Sequence, residues 1–399
     1  MTRRAWGVAC LLLAACRGEP PRAPGDPGLT QLVDSLVPSV ERATGLAFKR
    51  HPRAALISRE QAGDYLRTQL RKQLGDGRGR HLQDLYRLLG LLPDSVDLER
   101  LSLSVLTEQV AGYYDPDSSA FFGVAGASPV VLRLTVAHEL VHALQHDYLP
   151  LDSLMDARDN ADRLLAVHAI LEGQATLAMM RMQPEVGDKV LEPGFWENVR
   201  DQAQAQQQGM PQLRSAPRLL REELVFPYFQ GAEYMAWWIG HHPPGEAPYG
   251  ARLPGSSEEI LAPGRVAAGD PPIAVTIGGP TPEYTDVLGA EEMRILLAEA
   301  RGQEALVDPV ALGWGGDRFA LYDAGGKPAL VWYAVFDTRG ARTALASALA
   351  HWPPARAGYR SAVDTLAIDG RPGLRLVVAP GGWSRWSALP SATVLTPRS

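Results

Sequence analysis

Two histidines and a glutamate stand together in the segment His138-Glu139-Leu140-Val141-His142. On an α-helix, residues four positions apart lie on one face, so both imidazoles can reach the same metal ion. Glu139 lies beside them and could accept a proton from a water bound to that ion. The spacing therefore predicts a metal site for acid–base chemistry, and such a site needs a third ligand.

The predicted third ligand is Glu172, in the segment Leu171-Glu172-Gly173-Gln174-Ala175-Thr176, thirty positions after His142. This segment falls in a second predicted helix, from about Ala161 to Met182. Gly173 costs about 1 kcal/mol relative to alanine inside a helix, which indicates close packing or function. Two histidines and one glutamate leave a coordination position for water, as catalytic zinc sites do. The expected ion is therefore Zn²⁺.

At these residues the chain resembles the gluzincin metallopeptidases, relatives of thermolysin, and bacterial and archaeal proteins with HELxHALQ and EGxAT segments. The resemblance covers about residues 40 to 240. It implies that His138, His142 and Glu172 bind zinc, that Glu139 is the general base, and that the substrate is a peptide or protein. Gluzincins often have an aspartate four residues after the glutamate ligand to orient a histidine, and this chain has Thr176 there.

Three further segments resemble parts of those proteins: Gly112-Tyr113-Tyr114-Asp115-Pro116, Pro227-Tyr228-Phe229-Gln230-Gly231 and Gly313-Trp314-Gly315-Gly316-Asp317-Arg318. The resemblance makes Tyr228 a candidate to donate a hydrogen bond to the oxyanion. A buried aromatic ring whose hydroxyl is already hydrogen-bonded explains Tyr228 equally well. The sequence indicates no role for the third segment.

Other histidines do not complete the site. His146 continues the same helix face, but three ligands along one straight helix would span about 12 Å, too far for one ion. The metzincin pattern needs glycine at position 145 and histidine at position 148, where the chain has Gln145 and Tyr148. We expect His146 and His168 at the rim of the site.

The metal-binding segment needs a rigid support. Ser128-Pro129 is a typical helix start, and the predicted helix runs to about Asp147. Before it, residues 108–124 predict a hairpin whose second strand is Ala120 to Val124. We expect this strand to lie at a sheet edge, where an extended peptide could pair with it. Residues 29–106 predict a scaffold of helices with one short strand at Ala54 to Ile57.

The second half of the chain has a different composition and a different pattern of predicted elements. Residues 203–217 predict an exposed loop, and a helix is expected from about Tyr228 to His241. Beyond Gly250, segments rich in proline and glycine precede a predicted small α+β domain. Its expected elements are strands at 319–322, 329–336, 365–368 and 374–378 and a helix at 341–351.

The amino terminus predicts export. Arg3 and Arg4 precede a short apolar run that ends in Leu13-Ala14-Ala15-Cys16, which resembles a bacterial lipobox. Cys16 would then be lipidated and would anchor the protein, the expected location being the outer membrane facing the periplasm. An ordinary signal peptide with an incidental cysteine is the alternative. The only other cysteine is Cys10, inside the leader, so no disulfide is expected in the mature chain.

Composition sets outer limits on function. The chain has 399 residues, 46% of them hydrophobic, which argues against wholesale disorder. With a formal net charge of −6, the chain has no overall positive charge to attract the phosphates of a nucleic acid. Nucleic acid is therefore not an expected partner.

Together these observations predict an α+β protein. A signal peptide (1–15) and a tether (16–28) precede a mainly helical, zincin-like metallopeptidase domain with a short sheet (29–250). A connection (251–304) then leads to the small α+β domain (305–399). The expected function is zinc-dependent hydrolysis of peptide bonds in the cell envelope. The alternative is an envelope lipoprotein that keeps this fold as a non-catalytic binding or assembly module. A purely structural zinc site is disfavoured because it would normally be closed by four protein ligands, often cysteines.

Overall fold

The protein has a mixed α+β fold in the computed structural model, which describes residues 26–395 except 76, 156–159, 208, 268–269, 304–307 and 354–355. The helices are, in chain order, α1 Pro27–Thr44, α2 Arg59–Gln73, α3 Arg78–Leu88, α4 Leu98–Gln109, α5 Pro129–Tyr148, α6 Leu151–Leu154, α7 Ala161–Arg181, α8 Phe195–Gln207, α9 Pro211–Ser215, α10 Arg218–His241, α11 Ser257–Leu261, α12 Pro263–Ala267, α13 Gly289–Arg301 and α14 Arg339–Leu349. The strands are β1 Arg53–Ile57, β2 Gly112–Asp115, β3 Ala120–Val124, β4 Val275–Ile277, β5 Tyr284–Asp286, β6 Trp314–Asp323, β7 Pro328–Phe336, β8 Tyr359–Ile368, β9 Arg371–Pro380 and β10 Ala392–Val394.

The predicted lipid anchor, Cys16, lies outside the described residues. None of the described helices is both long enough and apolar enough to cross a bilayer.

The helical scaffold predicted for residues 29–106 is confirmed. In α1, Asp26 caps the amino end by accepting a hydrogen bond from the backbone N–H of Leu29. Gly45 ends the helix at φ +72°, a left-handed conformation that glycine adopts without strain. The apolar residues of α1 recur every three or four positions and pack against α5, the helix that carries His138 and His142.

A three-stranded sheet lies beside α5, in the order β1-β3-β2. β3 has the predicted bounds, but the prediction that it forms an edge is wrong. It pairs with β2 in antiparallel and with β1 in parallel orientation, so both of its sides are hydrogen-bonded. The partner β1 lies more than sixty residues earlier in the chain, and the local pattern of β3 contains no sign of that pairing.

Helices α7 and α10 cross at two glycines. A Cβ added at Gly173 would overlap the backbone of Gly231, and one added at Gly231 would overlap the carbonyl group of Ala169. The glycine inside α7 therefore serves close packing, one of the two explanations that the sequence left open. The crossing sets the position of Glu172, the residue before Gly173, relative to α10.

Two predictions between residues 203 and 241 are wrong. The expected loop at 203–217 contains the end of α8 and the short helix α9. Helix α10 begins ten residues before Tyr228 and includes Pro227. Proline removes one helical hydrogen bond, but burial of the side chains on either side of it keeps the helix continuous.

The carboxyl-terminal part is built on an antiparallel sheet in the order β5-β6-β7-β9-β8. All of the expected strands and the expected helix are present, with longer strands than predicted. The segment 251–304 is more than a connection, because it contains α11, α12, β4, β5 and the largely buried α13. One apolar cluster runs from α3, α4 and α10 through α13 to one face of this sheet, so the two parts of the chain share a core.

Candidate metal centre

His138 and His142 lie on one face of α5. Ser128 caps this helix by accepting a hydrogen bond from the N–H of Val131, and Pro129 occupies its first turn, as the sequence predicts. The Nε2 atoms of the two imidazoles are 3.1 Å apart. Both side chains are buried, with relative exposures of 4% and 0%.

Glu172 reaches the same point from α7. Its Oε2 atom lies 3.0 Å from Nε2 of His138 and 3.3 Å from Nε2 of His142. A tetrahedral ion with bonds of 2.0–2.2 Å holds its ligand atoms roughly 3.3 Å apart, so the three atoms fit around one ion. In the part of the chain that the structure describes, these residues are the single group of three or more potential ligands arranged in this way. The buried triad could therefore hold a metal ion.

The charges of the triad depend strongly on one another. Burial lowers the pKa of His138. Burial also opposes the charged form of His142, but the adjacent Glu172 carboxylate outweighs it and raises the pKa of His142 to about 9. The same attraction overcomes the burial of Glu172 and lowers the pKa of this carboxyl to about 2. The geometry thus keeps Glu172 ionised and favours a positive charge beside it.

Glu139 is held from the neighbouring sheet. Its Oε2 atom accepts a hydrogen bond of 2.7 Å from the backbone N–H of Tyr114, in β2. Its Oε1 atom is buried and has no hydrogen-bond partner. Burial raises the pKa of Glu139 to about 8. One oxygen is thus fixed in place, and the other is available to exchange a proton.

Gln145 orients one of the histidines, a role that the sequence analysis missed. Its Oε1 atom is 2.8 Å from Nδ1 of His142. Its amide nitrogen donates to the carbonyl oxygen of Leu171, in α7, and to Oε1 of Gln174. Thr176, where gluzincins often have an aspartate, has a buried hydroxyl without a hydrogen-bond partner. The sequence contained a signal for this role of Gln145, because the residue ends the HELxHALQ segment and lies about one helical turn after His142.

The remaining predicted site residues surround the triad. The ring of Tyr228 is buried and stacks on that of His138, with centroids 5.8 Å apart. His146 is not part of the triad; its Nδ1 atom is 2.9 Å from the hydroxyl oxygen of Tyr114. His168 is half-buried one turn before Glu172, and its Nε2 atom has no hydrogen-bond partner.

The segment at 112–116 shapes the sheet beside the triad. A Cβ at Gly112 would stand 2.7 Å from the ring of Phe121, so only glycine fits there. Tyr113 stacks on Tyr65 at 3.9 Å. Asp115 stabilises the turn between the strands by accepting hydrogen bonds from the N–H and hydroxyl of Ser118. These contacts hold β2, and with it the N–H that binds Glu139.

The segment at 313–318 has a structural role. Both carboxylate oxygens of Asp317 accept hydrogen bonds, from the backbone N–H groups of Leu288 and Gly289 and from the indole of Trp314. Asp317 thereby fixes the start of α13.

A cavity of about 270 Å³ adjoins the triad, with Glu172, His168 and Tyr228 in its wall. Its lining is mainly apolar and comes from α7, α10 and the scaffold helices. The cavity therefore reaches the triad on the side of Glu172. Comparisons of the chain with protein-family models, with curated proteins and with solved structures gave no match.

Proposed function

We propose that the protein is a zinc-dependent metallopeptidase that hydrolyses peptide bonds. The observation that carries the proposal is the combination of a buried His138–His142–Glu172 triad with a neighbouring carboxylate, Glu139, that has one free oxygen. The cavity beside Glu172 supports it further, because a catalytic site needs access for substrate.

The proposal includes a zincin-like fold of the gluzincin type. Its support is the arrangement of an HExxH helix, α5, against a second helix, α7, that supplies the glutamate. A small sheet lies beside α5 and contacts the catalytic glutamate through a backbone N–H.

In this proposal His138, His142 and Glu172 hold Zn²⁺, which supplies Lewis-acid polarisation of the scissile carbonyl and a lower pKa for water. Glu139 accepts the proton of the attacking water at Oε1 and passes it to the leaving amine. The Tyr114 N–H holds the other oxygen of Glu139 in place. Tyr228 lines the approach to the triad and is the proposed donor to the oxyanion.

The first prediction concerns the proposed base. Glu139→Gln keeps the size of the side chain and the acceptor for Tyr114 but cannot take up a proton. We expect the variant to bind about one zinc per chain, like the wild type, and to lose 10²-fold or more of its peptide hydrolysis. Zinc content is measured by elemental analysis, and hydrolysis with a mixture of quenched fluorescent peptides.

Two results would count against the peptidase. Full hydrolysis by Glu139→Gln would remove this residue from the mechanism. A wild-type chain that binds zinc but cleaves none of the peptides would favour the non-catalytic binding or assembly module.

We further propose that the protein is a lipoprotein of the bacterial envelope, anchored through Cys16 in the outer membrane. The support is the sequence Leu13-Ala14-Ala15-Cys16 at the end of the leader. A second prediction follows: in a Gram-negative host, Cys16→Ser should prevent acylation and thereby remove the lipid anchor. Labelling with a fatty-acid analogue and fractionation measure this, and equal labelling of wild type and variant would exclude the anchor.

A further inference from the structure

The cavity beside the triad is lined by side chains of both α7 and α10. Its wall includes His168 and Glu172 from α7 and Pro227 and Tyr228 from α10. Leucine is the commonest residue of the remaining wall and includes Leu82, Leu106, Leu164, Leu220 and Leu224. These leucines give the cavity an apolar wall that suits an aliphatic chain.

Three acidic residues interrupt this apolar wall. Asp162, Glu223 and Glu292 also line the cavity. The hydroxyl of Tyr86 lies 3.0 Å from Oε1 of Glu292 and 3.5 Å from Oε1 of Glu223, so it bridges these two carboxyl groups. Glu223 and Glu292 thus come together from α10 and α13 and form the acidic end of the cavity, and Asp162 lines the same cavity from α7.

Two of these carboxyl groups have an oxygen without a partner. Oδ2 of Asp162 and Oε2 of Glu292 are buried and accept no hydrogen bond, although the residues are only 2% and 8% exposed. The arginine of the wall, Arg78, forms its ion pair with Asp286, at 3.5 Å. Burying carboxyl groups together is unfavourable unless a donor or a cation satisfies them. The acidic end therefore has unused capacity to bind a positively charged group.

Glu223 lies about one side-chain length from Tyr228, whose ring stacks on that of His138. Glu223 precedes Tyr228 by five residues on α10, which corresponds to roughly 7.5 Å along the helix axis. This distance matches an extended lysine or arginine side chain whose backbone lies at the triad. The aliphatic stem of such a side chain would follow the leucines, and its charged end would reach the carboxyl groups.

We propose that this cavity binds a lysine or arginine side chain of the substrate, so that the enzyme prefers peptides with a basic residue beside the scissile bond. The inference rests on the proposed peptidase function. Glu223 and Glu292 are its specificity-determining residues.

The test measures binding, so that it does not depend on cleavage. Zinc-loaded Glu139→Gln protein is titrated with short fluorescent peptides that carry lysine, acetyl-lysine, norleucine or glutamate at one position, scanned through three positions on either side of the centre. We expect the lysine peptide to bind about tenfold or more tightly than the other three at one position, because charge-assisted hydrogen bonds form with lysine alone.

A double variant, Glu223→Gln with Glu292→Gln, should reduce this preference to about twofold or less. The matched control is Glu60→Gln with Glu283→Gln, which removes two exposed carboxylates outside the cavity and should leave the preference unchanged. If the cavity variant does not fold, the lysine and acetyl-lysine peptides are still compared in the Glu139→Gln protein. That comparison decides whether binding requires a positive charge.

Equal binding of all peptides, tighter binding of a neutral or acidic peptide, or absence of binding at every position would overturn the inference. A preference for lysine without hydrolysis by the wild type would instead refute the peptidase and leave the cationic subsite in place. Hydrolysis by the wild type without a preference for basic residues would support the peptidase and refute the cationic subsite.

Discussion

At the scale of the residue, the centre of the molecule is a buried carboxylate that requires a positive partner. Glu172 is 3% exposed, yet its contacts with His138 and His142 keep it ionised. A buried carboxylate is unfavourable unless it is paired, and a metal ion bound to all three side chains would supply the charge most directly. The same two contacts bring the histidines together, with their Nε2 atoms 3.1 Å apart.

A third prediction at this scale concerns Gln145. Gln145→Ala removes the group that holds Nδ1 of His142 and that links α5 to Leu171 on α7. We expect the zinc dissociation constant to rise 10–100-fold, because partners of a ligating histidine orient its ring. Competition with a chelator measures this. Gln204→Ala, at an exposed position on α8, is the control, and unchanged affinity in Gln145→Ala would contradict the assigned role.

At the scale of the element, the contact between α7 and α10 does the positioning. Glu172 and Gly173 are neighbours on α7, and Tyr228 and Gly231 lie one turn apart on α10. The glycines let the two backbones touch, and the polar residues next to them then lie at the triad and its cavity. The close packing of α7 against α10 therefore also places Glu172 and Tyr228 at the site.

The fourth prediction tests this contact. In Gly231→Ala the new methyl group would overlap the carbonyl of Ala169, so the helices must separate. We expect a loss of about 1–3 kcal/mol in the free energy of unfolding, with weaker zinc binding, because overpacking is relieved only by backbone movement. Denaturant unfolding and zinc titration provide the two values.

Gly240→Ala is the matched control on the same helix. Gly240 is exposed, and a Cβ there would meet nothing within 4 Å. Alanine should stabilise this position by up to about 1 kcal/mol through helix propensity. If both variants had the same stability, the close contact would not matter to the fold.

At the scale of the whole molecule, Asp162 connects three segments distant in sequence. It lies in the first turn of α7 and accepts hydrogen bonds from the N–H and hydroxyl of Ser257, at the start of α11. The hydroxyl of Ser257 lies at the start of α13, where it accepts from the N–H of Glu291. A Cβ at Gly289 would overlap the Asp162 carboxylate, so only glycine permits this approach.

The fifth prediction follows from the burial of Asp162. Burial raises the pKa of this carboxyl to about 7, although the hydrogen bonds from Ser257 oppose the rise. In the unfolded chain the pKa is about 3.9, so between about pH 4 and pH 7 the folded chain keeps a proton that the unfolded chain has lost. The contribution of Asp162 to stability therefore falls as the pH rises through this window.

Asp162→Asn cannot titrate and should escape this loss. Its free energy of unfolding, relative to wild type, should increase by a few kcal/mol between pH 4 and pH 7. Denaturant unfolding at several pH values measures the difference, with the exposed Asp201→Asn as the charge-matched control. A difference that does not vary with pH would show that Asp162 titrates normally in the folded protein.

The local parts of this protein could be predicted from the sequence. Helices α5 and α7 begin and end within about one residue of the prediction, because caps and apolar periodicity act over a few positions. The spacing of His138 and His142 places them one turn apart for the same reason. The choice of Glu172 required only that its helix lie beside α5, and the structure brings the three side chains together.

Tertiary structure decided what depends on partners distant in the chain. β3 lies in the centre of its sheet because β1 pairs with it, and Gln145 has its role because α7 supplies Leu171 and Gln174. The acidic end of the cavity joins Glu223 and Glu292, sixty-nine positions apart. Pairing and burial arise from contacts across the folded chain, so a local pattern of residue types does not contain them.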